Sequence, residues 1–269
     1  MQQVNTQHLR NYPKKPAQVY LFGTCIVDSF FPDSGMDAIE LLEREGIEVI
    51  YPQGQSCCGQ PAYNSGYKEE AKAVALAQVK QFPLDIPVVV ISGSCGGMMR
   101  HHYLDLLGDS ANDLGGSDSE ITNFCQRVFE FTEFLVHVLR LKPIDQGPKE
   151  RVALHTSCAA RREMGVHITG NKLISQLANV ELVLHDYESE CCGFGGTFAV
   201  KHADISAAMV ADKSKNLVAS DVVRYVSADH GCMMNINGAL DYQNESLRGE
   251  HIASYLLNRI KGKSAKASL

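Results

Sequence analysis

The sequence lacks any apolar run long enough to cross a membrane. The longest strongly apolar run, at about 86–91, is far shorter than the roughly 20 residues that a spanning helix needs. The start of the chain, 1–15, is polar and contains no apolar segment of the kind found in secretory signal peptides. We therefore expect a cytoplasmic protein without a membrane span.

The sequence also lacks an excess of basic residues. Its 25 Lys and Arg residues against 31 Asp and Glu residues give a net charge of −6, and only the tail at 261–266 is locally basic. Because phosphate backbones and anionic lipids are bound by concentrated positive charge, a nucleic-acid or lipid surface is not expected. We expect small molecules or other proteins as partners.

Several familiar catalytic patterns are missing as well. The sequence contains no HExxH zinc motif, no Walker loop, no flavin fingerprint and no recognisable Ser–His–Asp arrangement. Without a motif for a hydride-carrying cofactor, the chain itself is not expected to carry out two-electron chemistry on a substrate. This absence favours a binding or electron-transfer role.

Cysteine, in contrast, is abundant and regularly spaced. A first set consists of Cys25, the adjacent pair Cys57 and Cys58, and Cys95. A second set has nearly the same spacing, and each adjacent pair is followed directly by glycine. The members of this second set are Cys158, Cys191, Cys192 and Cys232. Because cytoplasmic thiols stay reduced, the two sets predict metal binding or redox chemistry and not disulfides.

The two sets mark an internal repeat, in which Cys25 corresponds to Cys158 and Cys95 corresponds to Cys232. In each half, short apolar runs alternate with helical patterns, which predicts an α/β fold with parallel sheets flanked by helices. The predicted strands lie at 19–22, 47–51, 88–91, 152–155, 180–185 and 222–226. Most of these runs end shortly before a cysteine, so the thiols should lie beyond the carboxyl ends of the strands. We predict two pseudo-symmetric modules, 17–145 and 146–262, whose strand ends face a shared cleft.

Other segments carry weaker signals. The pattern predicts a single helix over 120–141, in which Cys125 would be a buried residue outside the two sets. A linker is expected over 142–149 and a final helix over 251–261. The Gly-, Ser- and Asp-rich stretch 109–119 should be solvated. Loosely attached ends are expected at 1–16 and after the final helix.

Four thiolates at one site suit an iron–sulfur cluster, of the [4Fe–4S] or [2Fe–2S] type, and equally suit tetrahedral zinc. Adjacent cysteines on a strand point to opposite faces, so the Cys-Cys pairs need a turn, which Gly59 and Gly193 can supply. A cluster several ångströms across accepts adjacent thiolates on different irons, whereas a single ion does so less easily. We expect one or two clusters per chain, with zinc as the alternative.

Basic side chains adjoin both sets. Arg100 follows Cys95 and Arg161 follows Cys158, and we expect both to stabilise a negatively charged metal group. His155 and His230 lie beside the second set. Each would either tune the metal group or donate a hydrogen bond to a carbonyl.

The sequence resembles the CCG cysteine-rich domain family. The resemblance rests on Gly-Thr-Cys at 23–25, Cys-Cys-Gly-Gln-Pro-Ala-Tyr-Asn-Ser-Gly at 57–66, Ser-Gly-Ser-Cys at 92–95, Met-Arg-His-His-Tyr at 99–103 and Glu-Cys-Cys-Gly-Phe-Gly-Gly-Thr-Phe at 190–198. The family includes the B subunit of heterodisulfide reductase and the iron–sulfur subunits of glycolate oxidase and anaerobic glycerol-3-phosphate dehydrogenase. The motifs are most similar to those of its lactate-utilisation branch. The resemblance implies that the eight repeated cysteines ligate iron–sulfur clusters.

One departure from the family pattern bears on function. The fuller motif ends in Cys-x-x-Cys, but Met98 and Asn235 stand at its last position here. Members with five cysteines hold non-cubane clusters that cleave a disulfide, whereas four cysteines fit the lactate-utilisation branch. That branch implies an electron-transfer subunit in L-lactate or glycolate oxidation, acting with a ferredoxin-like iron–sulfur subunit and a third lactate-utilisation subunit. Heterodisulfide reductase-like chemistry and a zinc-stabilised scaffold are the alternatives.

Overall fold

Two four-stranded sheets form the framework of the computed structural model, which describes residues 10–108 and 118–263. The strand orders are β2-β1-β3-β4 and β6-β5-β7-β8, and every pairing is parallel. The strands are β1 (Gln18–Phe22), β2 (Glu48–Ile50), β3 (Val88–Val90), β4 (Val128–Glu130), β5 (Glu150–His155), β6 (Val180–Val183), β7 (Arg224–Ser227) and β8 (Gly249–His251). The same order in both sheets confirms the predicted α/β class and the repeat.

Helices flank both sheets. In the first module they are α1 (Cys25–Phe30), α2 (Pro32–Arg44), α3 (Gln60–Asn64), α4 (Lys68–Val79), α5 (Gly93–Gly97), α6 (Tyr103–Leu107), α7 (Asp118–Arg127) and α8 (Phe131–Glu133), with π-helical turns at Met98–His102 and Phe134–Val138. In the second they are α9 (Cys158–Met164), α10 (Val166–Ile174), α11 (Phe198–Lys201), α12 (Ala203–Ala219), α13 (His230–Tyr242) and α14 (Ile252–Ile260).

The central strands form because their apolar residues are covered on both faces. All three valines of β3 are fully buried, as is typical of a parallel sheet between helices. Apolar residues from both modules join in one core that also includes α2 and α14, while a second core belongs to the first module and a third to the second. The modules therefore share part of their interior.

The prediction of a single helix over 120–141 was wrong. Helix α7 ends at Arg127, and the next three residues form β4, which pairs in parallel with β3 and is fully buried. Pairing with β3 overrides the helical pattern at these positions. The corresponding strand β8 was also missed, and it delays the start of the last helix to Ile252.

The amino-terminal arm packs against the first module from residue 10 onward, in contrast to the expected loose attachment. The Arg10 guanidinium lies 3.7 Å from the ring centroid of Phe129 and 3.1 Å from a carboxylate oxygen of Glu133. Tyr12 stacks on His137 with ring centroids 4.3 Å apart. Three segments lie outside the described residues: 1–9, 109–117 and the carboxyl tail from 264. Of the stretch 109–119 that was expected to be solvated, only 118–119 are described, and they begin α7.

The two modules pack on each other reciprocally. Helix α14 of the second module contacts α2 of the first, and α10 of the second contacts α8 of the first. These pairs are equivalent in the repeat, so a pseudo-twofold axis relates the modules. An ion pair between Glu40 and Lys261 spans the first contact. The boundaries 17–145 and 146–262 stay a prediction.

The helices of the described segments are too short or too polar to traverse a lipid bilayer.

Candidate metal centre

All eight repeated cysteines line one cavity of about 130 Å³ between the two modules. In the first quartet, the Sγ atoms of Cys58 and Cys95 are 3.3 Å apart. In the second, the Sγ atoms of Cys192 and Cys232 are 2.8 Å apart, and those of Cys158 and Cys191 are 3.8 Å apart. All nine cysteines lie within the described segments and are free thiols. The fold thus brings together side chains as distant in the sequence as Cys158 and Cys232.

A left-handed turn aims both adjacent cysteines of each pair into the cavity. Gly59 and Gly193 have φ angles of 84° and 82°, which confirms the predicted turns. Each glycine N–H also lies 3.4 Å from the Sγ atom two residues earlier, at Cys57 or Cys191. A side chain at position 193 would meet the Ser206 carbonyl oxygen at 2.7 Å, so glycine is needed there for space as well.

The other four cysteines lie where a strand passes into a helix. Cys25 and Cys158 are the first residues of α1 and α9, and Cys95 and Cys232 are the third residues of α5 and α13. These helices follow the central strands β1, β3, β5 and β7. Parallel strand direction therefore places all four thiols at one end of each sheet, as the sequence predicted.

Polar groups fix the carbonyl of the second cysteine in each pair. The Tyr103 hydroxyl donates to the Cys58 carbonyl at 2.9 Å, and the Asn235 amide donates to the Cys192 carbonyl at 2.7 Å. Met98 is fully buried in the core of the first module. Neither Met98 nor Asn235 lines the cavity, so the departures from the longer family motif have structural roles.

The loop before each cysteine pair is held by a buried side chain from the following helix. In the first module, Gln78 donates to the Ser56 hydroxyl at 2.7 Å and accepts from the Ser56 backbone N–H. In the second, the Lys213 ammonium donates to the carbonyls of Tyr187 and Glu188 at 2.6 and 3.2 Å. The neutral amide of Gln78 and the ammonium group of Lys213 thus hold the equivalent loop in the two modules.

Hydrogen bonds among the thiols set their protonation. Donation from neighbouring thiols lowers the pKa of Cys57 and Cys191 well below the usual range. The same contacts, together with burial, raise the pKa of the donors, which are Cys25, Cys58, Cys158 and Cys192. Ionising a whole quartet therefore requires a bound cation to offset the repulsion, and thiolates are the ligands that iron–sulfur clusters and zinc prefer. The donor sets fit such a group.

Two buried histidines lie next to the second quartet. His155, the last residue of β5, is fully buried, and one ring nitrogen and the Sγ atoms of Cys192 and Cys232 all lie within 4.8 Å of one another. Burial lowers the pKa of His155 to about 3, so the ring is neutral. His230 stacks on His251 with ring centroids 4.1 Å apart. No hydrogen-bond partner within the described segments reaches either nitrogen of His155 or His230.

The arginines next to the cysteines do not face the cavity, contrary to expectation. Arg100 pairs with Glu133 at 2.9 Å, and Arg161 pairs with Glu188. Because each charge is balanced by a nearby carboxylate and neither side chain lines the cavity, these arginines do not stabilise a metal group in the way expected from the sequence. Lys213, which the sequence did not single out, is the buried cation close to the second quartet.

Cys125 lies apart from the cavity. It is buried in α7, and its thiol donates to the Met99 carbonyl at 3.2 Å. The prediction of a buried helix residue outside the two sets is confirmed.

The family model of the cysteine-rich CCG domain matches the chain twice, over residues 19–100 and 152–237. The chain belongs to the CCG cysteine-rich domain family. This confirms the resemblance drawn from the motifs, and the two matched segments contain one cysteine quartet each.

Curated relatives of this CCG protein match it over most of its length. Lactate utilization protein A 2 of Bacillus cereus (strain Q1) is 39% identical over 240 residues, covering 89% of this chain and 97% of that protein. Lactate utilization protein A 1 of Bacillus anthracis (strain CDC 684 / NRRL 3495) is 38% identical with the same coverage. A crystal structure of a hypothetical protein from Helicobacter pylori superposes with a TM-score of 0.61 at 12% identity, covering 96% of this chain and 52% of that one. That likeness concerns the fold alone.

Proposed function

We propose that this protein is the iron–sulfur electron-transfer subunit of a cytoplasmic L-lactate oxidation system. The observation that carries the proposal is the convergence of two complete thiol quartets on one cavity. The similarity to proteins named Lactate utilization protein A supports lactate as the hydroxy acid, with glycolate as the next candidate. Each quartet holds one [4Fe–4S] cluster.

The clusters would supply one-electron redox chemistry, and the chain supplies their surroundings. Four cysteines would be available to hold each cluster: Cys25, Cys57, Cys58 and Cys95 in the first, and Cys158, Cys191, Cys192 and Cys232 in the second. The N–H groups of Gly59 and Gly193 donate to sulfur and stabilise its negative charge. Tyr103 and Asn235 keep the cysteine pairs in position.

Oxidation of the hydroxy acid takes place on another subunit. The cavity is lined mainly by thiols, small residues and apolar residues, and the sequence has no motif for a hydride-carrying cofactor. The proposed partners are a ferredoxin-like iron–sulfur subunit and a third lactate-utilisation subunit. Cys25 is the exposed member of the two quartets, so electrons from a partner would enter at the first site.

Metal analysis tests the proposal directly. Protein purified without oxygen should contain about eight iron and about eight sulfide per chain, as two [4Fe–4S] clusters require. EPR spectra of the reduced protein should show the cluster signals. Stoichiometric zinc without iron would support the scaffold alternative and overturn the proposal. Turnover of a heterodisulfide by the isolated chain would favour the disulfide-reductase alternative.

Replacing Cys191 and Cys192 with serine should remove about half of the iron and abolish lactate-dependent growth of the host, because two ligands of one cluster are lost. Cys125→Ser is the matched control, since this thiol lies outside both quartets. It should leave the iron content and growth unchanged. Full iron content in the double variant would contradict the ligand assignment.

A further inference from the structure

The residue that ends the first strand of each module differs between the two repeats. Phe22 ends β1 and pairs with Val90, and His155 ends β5 and pairs with Ser227 in the corresponding register. Both side chains are fully buried. The repeat therefore places an apolar ring at the first quartet and an imidazole at the equivalent position of the second.

The surroundings of His155 do not satisfy its polar atoms. Neither ring nitrogen reaches a hydrogen-bond partner in the described part of the chain, although the ring is fully buried. A buried imidazole without a partner is unfavourable, and the first module shows that phenylalanine fits the same position. One nitrogen lies within 4.8 Å of the Sγ atoms of both Cys192 and Cys232. The unsatisfied nitrogen therefore lies next to two thiols that line the cavity, while His155 itself lies behind them and outside the cavity lining.

We propose that His155 is a nitrogen ligand of the second metal site. This rests on the proposed function only in requiring a metal group in the cavity. The second site then offers five ligands to a cluster that needs four, so the imidazole takes the place of one of the two thiolates beside it, Cys192 or Cys232, whereas the first site offers thiols alone. Neutral imidazole is a good ligand for iron, cobalt and zinc, and it binds beside thiolates in known mixed sites.

A nitrogen ligand has a measurable consequence for electron transfer. Replacing thiolate donation with neutral imidazole raises the reduction potential of iron–sulfur centres. The second site is therefore the more oxidising of the two. Electrons that enter at the exposed first site would move toward the second.

The first test uses pulsed EPR of the reduced iron protein labelled with ¹⁵N-histidine. The wild-type protein should show a strongly coupled histidine nitrogen, and His155→Phe should lose it because phenylalanine has no ligand atom. His202→Phe removes an exposed histidine and should retain the signal. The potential of the second cluster should also fall in the His155→Phe variant. Iron protein without a strongly coupled histidine nitrogen, or an unchanged signal in His155→Phe, would overturn the proposal.

A second test does not depend on iron. Metal-free protein loaded anaerobically with cobalt(II) should show a paramagnetically shifted, exchangeable imidazole N–H proton in its NMR spectrum. That signal should be missing in both His155→Phe and His155→Gln. The glutamine variant is included in case the phenylalanine variant does not fold. A protein without iron would overturn the proposed function, while the cobalt spectrum would still decide the role of His155. Absence of the shifted proton from cobalt-loaded wild-type protein would reject nitrogen ligation.

Discussion

At the scale of single residues, the repeat keeps its thiols and changes what surrounds them. The two quartets match cysteine for cysteine, but Phe22 corresponds to His155, and Gln78 has the same supporting task as Lys213. Both differences add nitrogen or positive charge near the second quartet. Two sites with the same cysteine pattern can therefore differ in redox behaviour.

The Lys213→Gln substitution gives the second module the glutamine that the first module has at the equivalent position, Gln78. Loss of the buried positive charge should lower the reduction potential of the second cluster, by on the order of tens of millivolts, because the oxidised state is then favoured. A redox titration followed by EPR measures this shift. Lys215→Gln makes the same charge change on the exposed side of α12 and should leave the potential unchanged. Equal shifts in the two variants would rule out a local effect of Lys213.

The cysteines could be found from the sequence because a duplicated spacing is visible without a structure. The arginines could not be placed in the same way. Arg100 and Arg161 pair with carboxylates 33 and 27 residues away, so their balanced charge depends on the fold. His155 lies beside the second set in the sequence, but only its lack of a partner in the structure indicates a ligand.

At the scale of elements, the contact between α5 and α9 brings the two quartets together. A β-carbon on Gly93 would lie 2.2 Å from the β-carbon of Ala160, so the helices approach as closely as glycine permits. The Gly93 N–H also donates to the Ala228 carbonyl of the other module at 3.1 Å. The start of α5, which contains Cys95, is thus fixed against the second module.

Gly93→Ala should force α5 and α9 apart. The expected cost is about 1–3 kcal/mol of unfolding free energy, as for other overpacked interiors, and denaturant unfolding measures it. Gly238→Ala is the control, because it lies at an exposed position within α13 with open space around its α-carbon. That change should stabilise the protein by about 0.5–1 kcal/mol. A neutral result for Gly93→Ala would show that the helices can separate without cost.

The sequence revealed the elements that carry a clear pattern and missed two strands that do not. The buried valine run of β3 and the long helix α12 carry clear patterns. Strand β4 follows α7 directly and continues its helical pattern, and β8 has the sequence Gly-Glu-His, which contains no apolar run. They form because an adjacent strand, β3 or β7, offers unpaired backbone groups, and that information is not local.

At the scale of the whole molecule, the modules enclose polar groups as well as a shared core. Glu130 ends β4 and is fully buried, and its carboxylate accepts the Glu133 N–H at 3.0 Å. The neighbouring Thr132 hydroxyl lies 2.6 Å from that of Thr169 in the second module. Burial raises the pKa of Glu130 from 4.5 to about 8. The pKa of Glu130 therefore indicates whether the two modules remain packed together at this contact.

Glu130→Gln should change how stability depends on pH. A carboxyl group whose pKa is raised on folding contributes stability that is fully present below about pH 4.5 and is lost as pH rises through 8. The wild-type protein should thus lose up to about 1.4 kcal/mol per pH unit relative to the variant across this window. Denaturant unfolding from pH 5 to 9 measures the difference, and the exposed change Glu69→Gln should not alter it. A constant difference between wild type and Glu130→Gln would contradict the raised pKa.

The reciprocal packing of α2 with α14 and of α10 with α8 has an evolutionary consequence. A single ancestral module could have paired with its own copy through the same contacts and built the same eight-thiol cavity as a homodimer. In such a dimer every substitution appears at both sites, so the two sites must remain identical. Joining the copies in one gene removes that constraint. Histidine at one site and phenylalanine at the other then become possible. Electron transfer between two unequal sites can then run in one direction.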